Sequence, residues 1–257
     1  MLRLLGVSKT YPPARGRSPA PVFRDVTLEV AQGDFWCIVG PSGCGKSTLL
    51  TLIAGFDRPS GGRILFRDRQ VTRPGKDRAV VFQDFNAALL PWLTARENVE
   101  FGLRVQRVPR AARSEIALRY LELVGLTAHR DKFPSELSGG MKQRIQIARA
   151  LATEPELLLM DEPFGSLDAY MRLQMQRELL GLWEHARRTV IFVTHDISES
   201  ITVADRIAVM TPGPDARIKA IIPNALPRPR DPSAPGFGQM FAHVRSLLEW
   251  DTRAAQV

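Results

Sequence analysis

Nine residues, "GPSGCGKST" at Gly40–Thr48, constrain the fold more than any other stretch of the chain. They sit between a short apolar run, "FWCIVG" (Phe35–Gly40), and an apolar helical pattern, "STLLTLIAG". Gly40-x-x-x-x-Gly45-Lys46-Ser47 fits the P-loop pattern in full, and a strand before and a helix after is the setting that pattern requires. The glycines let the backbone curl so that successive N–H groups converge on phosphate oxygens, and the helix N-terminus adds a positive dipole. Lys46 supplies a point charge to the phosphates and Ser47 a hydroxyl to Mg²⁺. The spacing predicts an α/β chain with a P-loop NTPase core.

Three further runs read as buried strands: "AVVFQ" (Ala79–Gln83), "LLLMDE" (Leu157–Glu162) and "TVIFVTH" (Thr189–His195). Each is short, apolar and rich in β-branched, aromatic or leucine side chains. Helical patterns between some of them predict a largely parallel sheet covered by helices. Shorter strands are expected at "LRLLGVS", "VFRDVTLEV", "GRILF" and "DRIAVMT". From about Asn86 to Leu151 no buried-strand pattern occurs, and "RAARSEIALRYLELVGL" has near-helical spacing ended by a glycine. This predicts a helical subdomain, residues 86–151, inserted into a domain spanning 1–230. The tail "IPNALPRPRDPSAPG" reads as extended and Pro-rich. An amphipathic helix is expected near Phe241–Trp250, with Phe241, Val244, Leu247 and Leu248 as its apolar face, within an extension covering 231–257.

In an open α/β sheet, ligands bind beyond the carboxyl ends of the strands. Here those ends carry Gly40 and its loop, Gln83, the pair Asp161–Glu162, and His195. If the sheet is parallel, they share one edge. Asp161 can hold Mg²⁺, usually through water. Glu162 can polarise an attacking water. Gln83 can reach the metal or the water without adding charge, and His195 can hydrogen-bond a terminal phosphate and sense its departure.

Composition narrows the partners. The 257 residues are 44% hydrophobic, enough for a full core. No apolar run approaches the roughly 18 residues that span a bilayer, and the start "MLRLLGVSKTY" is too short in its apolar part to be a secretory signal. The two cysteines, Cys37 and Cys44, form no disulfide framework and suit a reducing compartment, so a cytoplasmic setting is expected. The net charge of +8 serves solubility, or attraction to an anionic membrane face or to nucleotide phosphates. No Lys/Arg block is interleaved with aromatics, which argues against nucleic acid as a partner.

Taken in order, the motifs resemble the nucleotide-binding subunit of an ATP-binding cassette (ABC) transporter. "GPSGCGKST" resembles Walker A, "VVFQD" the Q-loop, "LSGGMKQR" (Leu137–Arg144) the ABC signature and "LLLMDEP" Walker B; "GSLD" (Gly165–Asp168) resembles the D-loop and "VTHD" the switch-histidine loop. "VSKTY" resembles the segment whose aromatic stacks on adenine, which makes Tyr11 that residue. The resemblance runs from about Leu2 to Thr211. It implies the ABC ATPase fold: a mostly parallel sheet, an N-terminal antiparallel β region and a helical subdomain. It also implies that two copies pair head to tail, with ATP held between the P-loop of one and the signature of the other. ATP would then meet Tyr11, Gly40, Pro41, Ser42, Gly43, Cys44, Gly45, Lys46, Ser47 and Thr48, and across the interface Ser138, Gly139, Gly140 and Asp168. Mg²⁺ would take Ser47, Gln83 and Asp161. Glu162 would be the general base, aided by His195 and Gln83, and Asp168 would communicate between the two copies.

The other implied partners are an integral membrane permease, docking near Gln83, and indirectly a periplasmic or lipid-anchored solute-binding protein. The chain would sit at the cytoplasmic face of the cell membrane. "LLPWLTARENVEFGL", "DEPFGSLDAYMR" and "LPRPRD" look like importers for nitrate, taurine and other aliphatic sulfonates, and importers for thiamine precursors share these features. No further domain is expected after Val257, which argues against sugar-type importers with a C-terminal regulatory domain, and the fused six-helix span of many exporters is not expected either. Non-transport ABC ATPases of DNA repair or translation resemble this chain at the cradle but typically show a long coiled-coil insertion or two cassettes in one chain; the Gln83–Leu137 interval is too short for the former, and a second cassette is not present. A catalytically dead module would be expected to lack Lys46, Glu162 or His195. Two departures from the family pattern stand out. Met141 replaces the commonest glutamine of the signature, and "PPARGRSPAPV" (Pro12–Val22) reads as a mobile surface loop.

Overall fold

A computed structural model describes residues 1–12, 19–84, 88–165 and 167–249, with backbone alone at 185 and 186. In chain order these form β1 (Leu2–Tyr11), β2 (Ala20–Val30), β3 (Phe35–Val39), α1 (Lys46–Ala54), β4 (Gly61–Phe66), β5 (Arg69–Gln70), β6 (Arg78–Val81), α2 (Ala95–Val105), α3 (Arg110–Leu123), α4 (Gly139–Ala152), β7 (Leu157–Asp161), α5 (Ala169–Ala186), β8 (Thr189–Thr194), α6 (Ile197–Val203), β9 (Arg206–Met210), β10 (Ile218–Pro223) and α7 (Pro235–Leu248). The chain divides into two compact units: Met1–Pro74 with Thr189–Val257, and Gly75–Arg188.

The first unit holds two sheets. In one, β3 lies between β8 and β9 and runs parallel to both, while β10 pairs antiparallel with β9. Every residue of β3 and of β8 is buried. Strands covered on both faces read as unbroken apolar runs, which is how they appear in the sequence. Helix α1 packs on β8 and α6 on β3. The other sheet is antiparallel, in the order β2-β1-β4-β5. In β1, Leu2 and Leu4 are buried, then Val7 and Lys9, with a register shift between Leu4 and Val7. That bulge changes the alternation by one residue and explains why "LRLLGVS" is not strictly periodic.

The second unit pairs β6 with β7 in parallel, Val81 opposite Met160. Helices α2, α3 and α4 pack on one another. A capping box starts α2: the Thr94 hydroxyl accepts from the Glu97 N–H and the Glu97 carboxylate accepts from the Thr94 N–H. Gly102 lies mid-helix because α2 passes so close to Thr153 that a Cβ would come within 2.3 Å of its methyl group. Asn98 is fully buried. Its amide nitrogen donates to the carbonyls of Leu90, Leu93 and Thr94, and its oxygen accepts from the Leu90 N–H.

Several expectations change. The segment Pro12–Val22 is not all loop: Ala20–Val22 belong to β2, and Tyr11 pairs with Ala20; residues 13–18 lie outside the described residues. So do Asn86, Ser166 and Trp250 with the tail to Val257. The Pro-rich tail, expected to be extended, is partly strand and partly buried. Ile222 and Pro223 close strand β10, which the sequence pattern did not suggest, and Asn224 and Arg230 are buried. The C-terminal helix starts at Pro235, six residues before the expected Phe241. It buries Phe237 and Val244, while Phe241, Leu247 and Leu248 stay partly exposed. Its contacts are with α6 and β9, and the site of contact rather than the width of the apolar stripe sets which residues are covered.

Replacing Asn98 with alanine takes the side-chain partner from the Leu90 N–H and the Leu93 carbonyl, while the Leu90 and Thr94 carbonyls keep backbone donors from Leu93 and Asn98. The expected loss is about 3 kcal/mol in urea unfolding; a loss below about 1 kcal/mol would show that these groups find other partners.

Candidate functional site

In the first unit, β3 delivers the chain into the loop at Gly40, where a side chain would meet the Cys44 sulfur at 2.9 Å and Met210 Cβ at 3.1 Å. Gly43 and Gly45 take left-handed backbone, φ 80° and 96°. Such angles are routine for glycine and strained for other residues. Gly45 is the N-cap of α1 and supplies no side-chain cap, so the amides of the first turn, which have no intrahelical acceptors, open onto the loop. Lys46 is buried and its ammonium donates to the carbonyls of Gly40 (2.8 Å) and Pro41 (3.0 Å). Pro41 is half-buried, Ser42 and Ser47 are exposed, and Thr48 is half-buried. A Cβ at Gly43 would meet nothing within 4 Å, so the mouth of the curl is open. A concave run of amides beside a lysine fits a polyphosphate.

Cys44 is buried inside the loop, and burial pushes its thiol up against the opposing pull of Lys46. It packs as a neutral small side chain rather than acting as a thiolate. The back of the loop is closed by residues the motif reading did not single out. A Cβ at Gly45 would lie 2.5 Å from Val22 and 2.8 Å from the Phe23 ring, and Gly213 presses on the Gly43 carbonyl from the segment after β9.

His195 joins this cradle through strand register. Val39 pairs with Thr194, so Gly40 and His195 leave neighbouring strands at the same level. His195 is exposed. Next to it, the Thr194 hydroxyl accepts from the Asp196 N–H (3.0 Å), and the Asp196 carboxylate caps α6 by accepting from the Glu199 N–H (3.1 Å). Tyr11 ends β1 and is 42% exposed. The Lys9 ammonium lies 4.7 Å from its ring centroid and pairs with Asp57 at 2.7 Å. The hydrogen bond from Lys9 is the main reason the Asp57 carboxyl sits below its usual range. Lys9 therefore steadies Tyr11, a link the sequence reading did not single out.

In the second unit, Asp161 ends β7 and is buried. Glu162 follows with φ 45°, left-handed backbone that is uncommon for a glutamate and costs on the order of 1 kcal/mol or more. Its peptide carbonyl accepts from the Gly165 N–H (3.1 Å) and the Gln143 side chain (3.4 Å). Gln83 lies two residues beyond the end of β6, in a bend rather than on the strand. Its amide nitrogen donates to Glu162 Oε2 at 3.3 Å. Gln83 and Glu162, 79 residues apart, thus meet.

Ser138 is the N-cap of α4, and its hydroxyl accepts from the Met141 N–H at 3.3 Å. Met141 thus continues the helix as expected. Gly140 faces Leu167 so closely that a Cβ would lie 3.1 Å away. The exposed Asp168 caps α5 by accepting from the Met171 N–H at 3.0 Å. Gln143, buried on α4, is the residue that ties the signature helix to the Glu162 turn; it lies inside "LSGGMKQR", but nothing local marks it as a tether.

Residues 23–165 match the family described as ABC transporter. The chain belongs to the ABC transporter family. It is 46% identical over 243 residues to the nitrate import ATP-binding protein of Synechococcus elongatus, covering 93% of this chain and 87% of that one. It is 48% identical over 232 residues to the bicarbonate transport ATP-binding protein of a Synechocystis species, covering 90% and 81%. Among solved structures, the ATP-binding cassette MJ0796, a dimer in a post-hydrolysis state bound to ADP and Pi, superposes with a TM-score of 0.79 at 32% identity, covering 88% of this chain and all of that one. The fold is that of an ABC ATPase, and the cassette binds ATP and couples its hydrolysis to transport.

Gly45 and Gly43 make a paired test of the cradle. In the nucleotide-free cassette, Gly45→Ala is expected to lower the melting temperature more than Gly43→Ala, because only the former adds a collision with Val22 and Phe23 to the backbone strain. Equal shifts by differential scanning fluorimetry would overturn this account.

Proposed function

We propose that this cassette powers an importer of a small monoanion, working as a head-to-tail pair on a separate permease. The observation that carries the solute class is the long, high-identity match to proteins named for nitrate import and bicarbonate transport. Both solutes are planar, singly charged oxyanions. Nitrate is favoured by the fuller coverage, and taurine, a zwitterion that presents a sulfonate, and other aliphatic sulfonates remain in the proposal as larger solutes. The solute itself is recognised by the permease and by a periplasmic or lipid-anchored binding protein, not by the cassette.

Pairing is supported by the dimeric state of MJ0796 and by the signature itself. Ser138, Gly139 and Gly140 open a helix with N–H donors but bring no lysine, so they serve as half of a site completed by the P-loop of a second copy. Among the described residues no helix is long and apolar enough to cross a membrane. In this reading the permease forms the path, and the cassette docks on it at the cytoplasmic face. Trp92 and Val105, each more than two-thirds exposed, support that docking. So does a cavity of about 590 Å³ lined by Leu93, Arg96, Phe101 and Arg104.

ATP supplies the scissile phosphoanhydride, and Mg²⁺ screens its charge. The Ser47 hydroxyl, the Gln83 amide oxygen and the Asp161 carboxylate are hard oxygen donors of the kind Mg²⁺ takes. The described residues hold no cluster of three or more His, Cys, Asp or Glu side chains that could cage a metal, which suits an ion carried in largely by phosphates. Lys46 exchanges loop carbonyls for phosphate oxygens. Glu162 acts as general base, its carboxylate oriented by the Gln83 amide. His195 hydrogen-bonds the terminal phosphate, Tyr11 stacks on adenine, and Asp168 carries the signal across the interface.

Three measurements test these roles. Glu162→Gln is expected to cut ATP turnover about 100-fold or more and trap an ATP-bound dimer; near wild-type turnover would remove Glu162 from the role of base. Mixing Lys46→Ala with Ser138→Arg should restore part of the ATPase activity, because one intact composite site is rebuilt; activity no higher than in either alone would count against a shared site. In the reconstituted transporter, uptake of labelled nitrate or bicarbonate should exceed that of taurine, and uptake confined to thiamine precursors would overturn the solute class.

A further inference from the structure

The segment between β10 and α7 contains the most heavily bonded side chain described outside the nucleotide loops. Arg230 is buried, and its guanidinium donates to five carbonyls: Leu226 (3.1 Å), Ile201 (3.0 Å), Thr202 (3.2 Å), Ala204 (2.7 Å) and Asn224 (3.3 Å). Arg228 donates to the Val203 carbonyl and pairs with Asp205. The Asn224 amide adds donors to Ile201 (2.8 Å) and Ala204 (3.0 Å). The acceptors from Ile201 to Ala204 form the carboxyl end of α6, the helix that begins directly after His195 and Asp196.

A helix leaves its last four carbonyls without intrahelical partners. In α6 the Ser200 carbonyl is taken by the Ala204 N–H. The other three, from Ile201, Thr202 and Val203, are all met by this tail. Seven residues are too few to hold helical structure alone in water. Positive charge at the carboxyl end of a helix also complements the negative end of its dipole. Burial, with Arg228 alongside, draws Arg230 down to about 10, so it stays charged at neutral pH. The same assembly reaches the phosphate-loop strand. Asp205 accepts from the Phe35 N–H (3.1 Å) and donates its own N–H to the Phe35 carbonyl (2.7 Å), at the start of β3. The tail thus locks α6 at one end while β3 leads to Gly40 at the other.

We propose that Arg230, with Arg228 and Asn224, positions His195 against the P-loop by clamping the carboxyl end of α6 to the root of β3. These are positioning residues; none of them touches nucleotide. The proposal rests on the reading of His195 as the residue that contacts the terminal phosphate. A tail that merely stabilised the fold would slow turnover only by unfolding the chain. A positioning tail slows turnover in molecules that are fully folded and still bind ATP.

The test uses the full-length chain and four variants: His195→Ala, Arg230→Met, Arg230→Lys, and the double variant His195→Ala/Arg230→Met. ATPase kinetics are measured below each variant's melting temperature. Arg230→Met is expected to lower kcat about tenfold or more, with KM for ATP within about threefold of wild type. Arg230→Lys should recover only part of the loss, since one ammonium cannot serve carbonyls arranged for a fork. If the Met variant precipitates, the Lys variant carries the same comparison with His195→Ala. The double variant should be no slower than His195→Ala alone, because both act through one side chain. Unchanged kcat in folded Arg230 variants, or losses that multiply in the double variant, would overturn the clamp while leaving His195 its role. Wild-type turnover in His195→Ala would overturn the His195 reading, and the clamp with it.

Discussion

The nucleotide-binding unit depends on the absence of one Cβ, at Gly45. Val22 and Phe23 approach so closely that any side chain there would overlap them, and the φ of 96° would strain any other residue. With only a hydrogen at that point, β2 closes against the back of the P-loop. Phe23 also bridges to Ala216 in the segment between β9 and β10. One contact therefore joins the antiparallel sheet, the phosphate cradle and the far end of the parallel core. β1, which Tyr11 ends, pairs with β2 along its length.

The helices that carry the motifs differ in how their first turns are satisfied, and the difference sorts their chemistry. Ser138, Asp168 and Asp196 each cap their own helix with a side-chain oxygen. Gly45 offers none to α1. The helix behind the P-loop thus keeps more of its donors for an external anion, while the signature helix spends one on Ser138 and has fewer to give. This asymmetry matches a site in which one loop binds phosphate in full and the other completes it. It also gives Ser138, Asp168 and Asp196 structural duties beside any functional ones, so their replacement acts on helix stability as well as on the site.

Strain and tethering meet at Glu162. Its left-handed backbone is held by Gly165 on one side and Gln143 on the other, and its carboxylate by Gln83. A local turn and the signature helix hold the backbone, and Gln83 holds the carboxylate, in a conformation that a glutamate seldom adopts, which is the pattern expected where orientation matters more than stability. The C-terminal tail treats His195 similarly. There the support comes through the carboxyl end of α6, and the support is buried arginine rather than glycine.

The P-loop, the strands β3, β7 and β8, and the order of the motifs were legible in the sequence. Their signals are local: glycines where the chain must curl, and unbroken apolar runs where both faces of a strand are covered. Three features were not legible, because their causes lie far along the chain. Strand β10 pairs at an edge with half its residues exposed, so "IKAIIP" has no strong apolar period. Arg230 sits in a stretch that reads as extended and Pro-rich, yet it is buried, and carbonyls 26 to 29 residues earlier satisfy it. Gln83 meets Glu162 only because β6 and β7 lie side by side in parallel. The sequence by itself determined that the chain folds around a phosphate-binding curl. Only the tertiary structure decided which distant residues brace Glu162 and the helix after His195, since a buried polar group finds its partners through packing and not through sequence spacing.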